Sequence, residues 1–249
     1  MRFKYLLFPA GTLAVITAIS LVALQTPATG RTPDGKPDIQ GIWQADRGAG
    51  ADIQKFVEGK EIPYKPAAAQ KKAENAKNRS TADPLSNCFM PGVPRIMYLD
   101  YPFQIFQTKD HVALTFEWSS VFRLIYTSTK TSPHQGIDSW MGDSRAHWDG
   151  DALVVDVTQQ NDRTWFDLAG NYHSDKLRVS ERFQRQDPDT LRYEVTVTDP
   201  ETFTRPWKIV MPLHRVKNRT RVLEYQCQAE KEEANGDFEP NPRTWYPKR

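Results

Sequence analysis

The chain has 249 residues, among them 33 basic and 31 acidic side chains. Two of the basic residues, Arg2 and Lys4, lie in a leader that we expect to be removed, which leaves 31 of each sign. A mature protein without net charge has no long-range field to attract nucleic acid or an anionic membrane. We therefore expect no nucleic-acid partner, and no membrane partner once the leader is cleaved.

Residues 1–28 have the layout of a signal peptide: a basic start, an apolar stretch from Tyr5 to Leu24, and small residues before a cleavage site. Thr26 and Ala28 are small enough to precede a cut, so we predict cleavage after Ala28. An uncleaved anchor is the alternative, because the apolar stretch approaches the roughly 20 residues that span a bilayer. A proline and a glycine interrupt the stretch and favour cleavage. The predicted location is periplasmic or secreted.

The mature chain opens with an extended lead-in and carries one predicted helix before its long strands. Arg31–Asp38 is rich in proline and glycine, and Ile39–Gln44 has the character of a short strand. Pro66–Asn78 is rich in alanine, opens with proline and lacks an apolar stripe, so we predict a helix on the surface. A structureless basic segment is the alternative.

From Phe103 onward, short runs rich in β-branched and aromatic residues alternate with turn signals. The predicted strands are Phe103–Thr108, His111–Trp118, Val121–Thr127, Arg145–Trp148, Ala152–Thr158, Leu177–Arg185, Leu191–Thr198, Arg205–Met211 and Arg221–Cys227. Tight turns between successive strands make them antiparallel neighbours. A series of strands without intervening helices favours a closed barrel or a sandwich.

Two cysteines, Cys88 and Cys227, occur in the chain. An even number of cysteines in an exported protein predicts a disulfide. The bridge would close a loop of nearly 140 residues, which the chain-entropy model values at about 4 to 5 kcal/mol. Two buried free thiols are the alternative.

Alternation along the strands predicts which charged side chains point inward. Glu181 has the same parity as the apolar Val179 and Phe183, and so points into the core or a cavity. Arg123 has the parity of apolar neighbours, which places it inward or on an apolar outer wall, and Glu117 is its predicted partner. A structural ion pair is favoured over a ligand contact, because a buried charge must be paired with or without a function.

A first resemblance supports a closed barrel. Gly41-Ile42-Trp43 on a first short strand, with Arg221 opening a last strand, resembles the lipocalin pattern of Gly-x-Trp with a basic residue stacked over the Trp. We therefore predict an all-β fold, an antiparallel calycin-like β-barrel of about eight to ten strands with a short N-terminal surface helix. Residues 29–228 would form this single domain, and 229–249 a polar C-terminal tail.

A second resemblance covers most of the mature chain. Its motifs are DPLSNCFMPGVPR, YPFQIFQT, SWMGDSRAHWDGDALVVDV, NDRTWFDLAGNYHS, ERF, DPETFTRPW and EYQC. Together they resemble a family of exported bacterial proteins without a settled biochemical function. The segment TSTKTSPHQGIDS before Trp140 departs from the Asp-Gly-Arg-x-His-Pro version of that family, since it keeps His134 and lacks the Arg.

Two segments combine dense polar groups with large aromatic residues, Pro133–Trp148 and Asn161–Ser174. In a barrel such segments form the mouth, where a ligand site is expected. Six residues of these segments and the neighbouring strands are predicted substrate contacts: Trp140, Asp143, His134, Trp165, Arg123 and Glu117. The alternative is a pair of long loops held by Asp and Asn turns, with their tryptophans covering the core.

His173, in the second segment, is the predicted acid–base residue, because His exchanges protons near neutral pH when a carboxylate holds its tautomer. Asp162, Asp167 or Glu181 would supply the carboxylate, and we assign catalysis to His173, Glu181 and Asp162. A His that only hydrogen-bonds a loop is the alternative. If Arg123 is the partner of Glu181, this carboxylate is structural; if Glu181 faces an open cavity beside His173, it is functional.

Cofactor motifs do not occur in the sequence. His134, His173 and Asp143 or Glu181 have the side chains of metal ligands, but no two histidines have i, i+2 or i, i+4 spacing and there is no thiolate pair. Glycine-rich phosphate loops and the Gly-x-Ser-x-Gly elbow are also missing. We expect no metal and no nucleotide cofactor.

These features predict an exported enzyme that transfers protons on a small, partly apolar molecule held in the barrel, of lyase, isomerase or hydratase type. The alternative is a lipocalin-like carrier that binds such a molecule unchanged. An envelope protein without a ligand fits the neutral charge but not the polar groups predicted inside.

Overall fold

The structure, a computed structural model, describes residues 30–128 and 136–236. The predicted signal peptide, His134 and the end of the predicted tail lie outside these residues. Nine strands form one closed barrel in chain order. They are β1 (Gly41–Ala45), β2 (Phe103–Gln107), β3 (His111–Phe116), β4 (Phe122–Tyr126), β5 (Asp143–Asp149), β6 (Ala152–Thr158), β7 (Arg178–Asp187), β8 (Thr190–Thr198) and β9 (Trp207–Arg215). The prediction of an all-β barrel with this number of strands is confirmed.

Three α-helices accompany the barrel: α1 (Pro66–Lys77), α2 (Arg79–Ala82) and α3 (Cys227–Asn235). Short 3-10 helices span Ile53–Phe56, Glu58–Lys60, Pro84–Asn87 and Arg95–Tyr98. Helix α1 begins at the predicted proline and buries only Ala68, as expected for a helix on the surface. None of the helices in the described part of the chain is long and apolar enough to cross a membrane.

One pair of neighbouring strands departs from the predicted antiparallel order. β4 and β5 are parallel, with Ile125 opposite Ser144, whereas the other neighbours are antiparallel. Parallel strands require a connection that returns the chain to its starting end. The strands β4 and β5 are separated by 16 residues in the sequence, whereas a tight turn would have been too short for a parallel pair.

The predicted strand Arg221–Cys227 is wrong. Residues 221–226 form an isolated bridge between Tyr225 and Trp118, and the chain then enters α3, which continues into the predicted tail. β9 already pairs with β1 through Trp43 and Arg215, so the barrel closes there and has no free edge for another strand.

The same closure corrects the residue predicted to stack on Trp43. The guanidinium of Arg215, not Arg221, lies 4.2 Å from the ring centroid of Trp43. Two features favour the glycine of the Gly-x-Trp pattern: the φ of Gly41 is +131°, and a Cβ there would lie 2.1 Å from Arg215 Nη1, the end of a flexible side chain. A basic residue therefore covers the tryptophan as in the lipocalin pattern, although it comes from a different part of the chain.

The two ends of the barrel differ. At the turn end, tight turns join the strands at residues 108–110, 150–151 and 188–189. At the opposite loop end, three long connections converge: residues 46–102, 159–177 and 199–206. The buried segment Val93–Leu99 packs into the loop end, where Met97 Sδ lies 3.8 Å from Arg123 Nη1 inside the barrel. Large side chains thus occupy the interior at this end.

The predicted disulfide is confirmed. Cys88 and Cys227 are bonded, with 5.5 Å between their Cα atoms. The bond joins the connection between β1 and β2 to the first residue of α3. Nearby, Lys231 Nζ of α3 donates to the carbonyl of Ser86 at 3.2 Å. The C-terminal segment is therefore fixed to the loop end of the barrel.

Candidate functional site

The barrel interior contains an ion pair between Arg123 and Glu181. Arg123 Nη1 donates to Glu181 Oε1 at 3.0 Å, and Arg123 Nη2 donates to Glu181 Oε2. The carboxylate is 0% exposed and Arg123 3%. Arg123 Nε also donates to Ser144 Oγ at 3.0 Å. Both charges are therefore satisfied by each other, as a buried bidentate pair requires.

Tyr193 completes the surroundings of Glu181. Its hydroxyl donates to Glu181 Oε1 at 2.6 Å. Burial raises the pKa of Tyr193 well above its usual value, and the neighbouring Glu181 charge adds to this effect. The phenol therefore stays protonated and remains a donor. Of the two alternatives for Glu181, the structure shows the ion pair with Arg123.

The predicted pairing of Glu117 with Arg123 is wrong. Glu117 Oε2 instead accepts from Arg219 Nη1 at 2.6 Å and from the backbone N–H of Leu223 at 3.0 Å. Glu117 directly follows β3, whereas Arg123 lies on β4. The Glu117 side chain instead faces the C-terminal segment, residues 216–236, that follows β9. Glu117 thus holds that segment against the barrel.

His173 belongs to a second buried group, which we call the His173 cluster: His173, Thr164 and Gln160. His173 Nδ1 lies 2.9 Å from the carbonyl oxygen of Ser174, an acceptor, so Nδ1 carries the proton. Nε2 then accepts from Thr164 Oγ1 at 2.7 Å. Burial lowers the pKa of His173, although the Ser174 carbonyl acts in the opposite direction. Burial therefore favours the neutral imidazole, and both of its nitrogens are occupied.

The His173 cluster positions the loop that contains Gly92. Gln160 Oε1 accepts from the backbone N–H of Val93 at 3.0 Å, and Gln160 Nε2 donates to Thr164 Oγ1 at 3.1 Å. A Cβ at Gly92 would lie 2.6 Å from Thr164 Oγ1, so only glycine allows this approach. The glycine of the stretch CFMPGVPR is therefore explained by close packing against the cluster.

Glu181 and His173, predicted to share one site, have separate sets of partners. Glu181 contacts Arg123 and Tyr193, whereas His173 contacts Thr164, Gln160 and Ser174. Among residues 30–128 and 136–236, no hydrogen bond or ion pair joins the two groups. Glu181 points inward from β7, whereas His173 lies in the loop before β7 and packs on Phe166, with 5.2 Å between ring centroids.

The predicted carboxylates of the loop also have other roles. Asp162 raises the pKa of His173 through its charge and forms no hydrogen bond with the ring. Asp167 accepts from the backbone N–H of Ile53 at 3.0 Å and from Asn171 Nδ2 at 2.6 Å. Burial raises the pKa of Asp167, although these hydrogen bonds act in the opposite direction. Asp167 thus joins two connections at the loop end.

Trp140, one of the predicted ligand contacts, lies at the loop end and stacks on the exposed ring of Phe89. Phe89 stacks on Trp140 with 5.2 Å between centroids and 8° between planes. Phe89 is 51% exposed, and the adjacent Met90 is also exposed. We call Phe89 and Trp140 the aromatic platform. Phe89 was missed as a site residue, although it lies in the stretch CFMPGVPR beside Cys88.

The remaining predicted contacts have structural surroundings. Trp165 is buried with Tyr172 against Ala68 of α1. Asp143 is buried and accepts from Arg145 Nε at 3.0 Å. Trp165 therefore packs in a small cluster beside α1 that is separate from the main core. Asp143 fixes an arginine at the start of β5.

The fold and these contacts define a closed β-barrel with a buried ion pair inside and a polar cluster at one end. In comparisons with known proteins, no protein-family model and no curated protein matches the chain. The resemblance to an exported bacterial family therefore stays a prediction. Within residues 30–128 and 136–236, no group of three or more His, Cys, Asp or Glu side chains is arranged for a metal ion.

Proposed function

We propose that the protein is an exported carrier that binds a small, partly apolar molecule at the aromatic platform without changing it. The observation that carries this proposal is the parallel stack of Phe89 on Trp140, with Phe89 half exposed. An exposed aromatic ring leaves a large apolar face in water, and a second ring covering that face stabilises it. A planar or ring-shaped ligand can extend such a stack.

Rigid anchors on both sides of Phe89 support this role. Cys88 is tied to α3 by the disulfide, and the backbone N–H of Val93 is held by Gln160. A loop fixed in this way loses little conformational entropy when a ligand binds, which favours affinity. The platform therefore has the rigidity that a binding surface needs, and its Trp140 belongs to one of the two segments predicted to form the mouth of the barrel.

The carrier is favoured over the enzyme because the proton-transfer candidates are already paired. Glu181 binds Arg123 and Tyr193, and both ring nitrogens of His173 are occupied. A general acid or base must reach a substrate proton directly or through one water.

One observation favours the second candidate, an enzyme. The neutral His173 accepts from the Thr164 hydroxyl, which is the arrangement of a base and a nucleophile. Thr164 is 1% exposed, so this pair reaches a substrate only if the loop around Gly92 moves. On this hypothesis His173→Ala abolishes conversion of the bound compound and leaves its binding to the platform intact.

The test is to incubate the purified protein with cell extract, wash it, and identify retained compounds by mass spectrometry. We expect one compound class to be recovered unchanged by the parent protein and to be lost with Phe89→Ala and Trp140→Ala. Phe122→Ala is the matched control, because Phe122 is 74% exposed on the outer wall of β4 and lies outside the platform. Equal retention by all four proteins contradicts the platform, and conversion of the compound contradicts the carrier.

A further inference from the structure

A polar cleft lies on the outside of the barrel at its loop end, separate from the aromatic platform. It has a volume of about 450 Å³, which is within the usual range for small-molecule sites. Its lining includes Asp138, Thr158, Gln159, Lys176, Arg178 and Thr198. A neighbouring cleft of about 270 Å³ shares Thr158, Arg178 and Thr198, so these three side chains lie at the junction of the two.

Strand register places Arg178 between two threonines. In β7 the side chain of Val179 is buried, so its neighbour Arg178 points outward. Arg178 is opposite Thr198 of β8, and the pairing of Val157 with Val179 places Thr158 of β6 on the other side. Side chains opposite each other on one face are neighbours, so Arg178 extends from the sheet with a threonine on each side.

Arg178 has no partner within the described residues, neither a hydrogen bond nor an ion pair. Its neighbour on the same face of β7, Arg182, is paired with Asp149 at 2.8 Å. Asp138 at the other side of the cleft also lacks a hydrogen bond or ion pair among residues 30–128 and 136–236. The Asp175 carboxylate pairs with Lys176 at 2.8 Å and raises the pKa of Lys176, and the charge of Asp138 adds to this effect. Among residues 30–128 and 136–236, the cleft thus presents Arg178 without a hydrogen bond or ion pair, and Asp138 without a direct one.

Gln159 also belongs to the lining of the cleft and has a φ of +58°, in the left-handed region that a residue with a side chain rarely adopts. Its side-chain oxygen is enclosed, so it faces away from a ligand in the open cleft, and it has no hydrogen-bond partner in the described part of the protein. The inference of a ligand site therefore rests on Arg178, the two threonines and Asp138 alone.

We propose that this cleft binds a small zwitterion, a molecule that carries both a carboxylate and an ammonium group. Arg178 would bind the carboxylate through its planar fork, with the Thr158 and Thr198 hydroxyls as further donors. Asp138 would bind the ammonium group. A ligand with both charges fits better than a simple anion, because an anion would leave Asp138 unpaired and repelled. This site does not depend on the aromatic platform.

The test uses three small molecules that differ in one group: L-alanine, L-lactate and L-alaninamide. Lactate has a hydroxyl in place of the ammonium, and alaninamide lacks the carboxylate charge. NMR titration of the labelled protein detects weak binding and locates it by residue. We expect L-alanine to shift the amide signals of Thr158, Arg178 and Thr198, and the other two compounds to bind about tenfold more weakly, the loss expected for one charge-assisted hydrogen bond.

Two variants and a control complete the test. Arg178→Gln and Asp138→Asn should each weaken L-alanine binding about tenfold, since each removes one charged partner. Arg182→Gln is the matched control, because it removes a charge from the same face of β7 outside the cleft. Unchanged binding by Arg178→Gln, or the absence of shifts around the cleft, overturns the site. Lactate binding as tightly as alanine overturns the zwitterion. Phe89→Ala should leave these results unchanged, whatever the outcome for the platform.

Discussion

Arg123 and Glu181 form a two-point ion pair across the barrel interior, from β4 to β7. Both side chains are buried, so solvent water cannot take the place of either partner. Removing one member of a buried pair leaves the other charge uncompensated, which costs far more than the pair itself contributes. The interior of the barrel is thus sensitive to any change in the charge of these two residues.

We predict that Glu181→Gln lowers the free energy of unfolding by about 3 to 5 kcal/mol. The amide cannot neutralise the guanidinium of Arg123, which remains buried. Urea denaturation of the parent and the variant measures the difference. Glu194→Gln is the control, because Glu194 pairs with Arg192 at the surface of the neighbouring strand, and such pairs contribute only about 0 to 1 kcal/mol. Equal stability of Glu181→Gln and the parent would contradict a structural role for the pair.

The sequence predicted the direction of Glu181 and named Arg123 as one of two possible partners, but it did not decide between them. Alternation in β7 places Glu181 among buried residues, and the structure agrees. Parity within one strand gives the face of a side chain, but it says nothing about which strand lies across the barrel. That depends on strand number and closure, and for this reason Glu117 was chosen as the partner of Arg123. Local pattern likewise predicted α1, and compartment and cysteine count predicted the disulfide.

The candidate site shows the same limit of local reasoning. His173 and Glu181 lie only eight residues apart, which made a shared site plausible from sequence. Between them the chain passes from a loop into β7, and each side chain has its own set of hydrogen-bond partners. Phe89 was overlooked because its contact with Trp140 joins distant parts of the chain. Contacts of this kind follow from tertiary structure and have no signal in composition or periodicity.

The stability of the protein should decrease as the pH falls below 6.5 because of His173. Burial lowers the pKa of the folded His173 below the usual 6.5. Between these two pKa values the unfolded chain binds a proton that the folded chain does not, so the free energy of unfolding falls with falling pH. Well above 6.5 both states are neutral and the effect disappears.

The measurement for His173 is urea denaturation across this pH window, for the parent and for His173→Gln. Subtracting the two curves removes the contributions of Asp199, Asp162 and the other shared titratable groups. We expect the parent to lose more stability than His173→Gln on acidification. Parallel curves would mean that His173 titrates alike in the folded and unfolded protein.

Reduction of the disulfide should release the C-terminal segment from the loop end. Cys88 and Cys227 are 139 residues apart, and the chain-entropy model gives about 4 to 5 kcal/mol for a loop of this length. We predict that Cys88→Ser and Cys227→Ser are each destabilised in urea by an amount of this order. Reductant should destabilise the parent and leave both variants unchanged. Mass spectrometry without reductant checks the bond directly, and two free thiols in the parent would contradict it.

Arg215→Ala should lower the stability of the barrel where its first and last strands meet. Arg215 lies over the ring of Trp43 and donates from Nε to the carbonyl of Pro188 at 2.8 Å. A cation–π contact contributes about 0.5 to 2 kcal/mol and a hydrogen bond about 1 kcal/mol, so the loss should be about 1 to 3 kcal/mol. Urea denaturation measures the loss, and the near-ultraviolet dichroism of tryptophan should change with it.

Arg221→Ala is the matched control for Arg215→Ala, because Arg221 is an exposed arginine of the C-terminal segment that the lipocalin pattern had pointed to. The free energy of unfolding of Arg221→Ala should be within about 0.5 kcal/mol of that of the parent.

Gly41→Ala tests the same contact from the other side, since its Cβ would collide with Arg215 Nη1. In the background Arg215→Ala the clash is gone, and Gly41→Ala should then cost less than in the parent. If Gly41→Ala costs as much in both backgrounds, its φ of +131° rather than Arg215 explains the glycine.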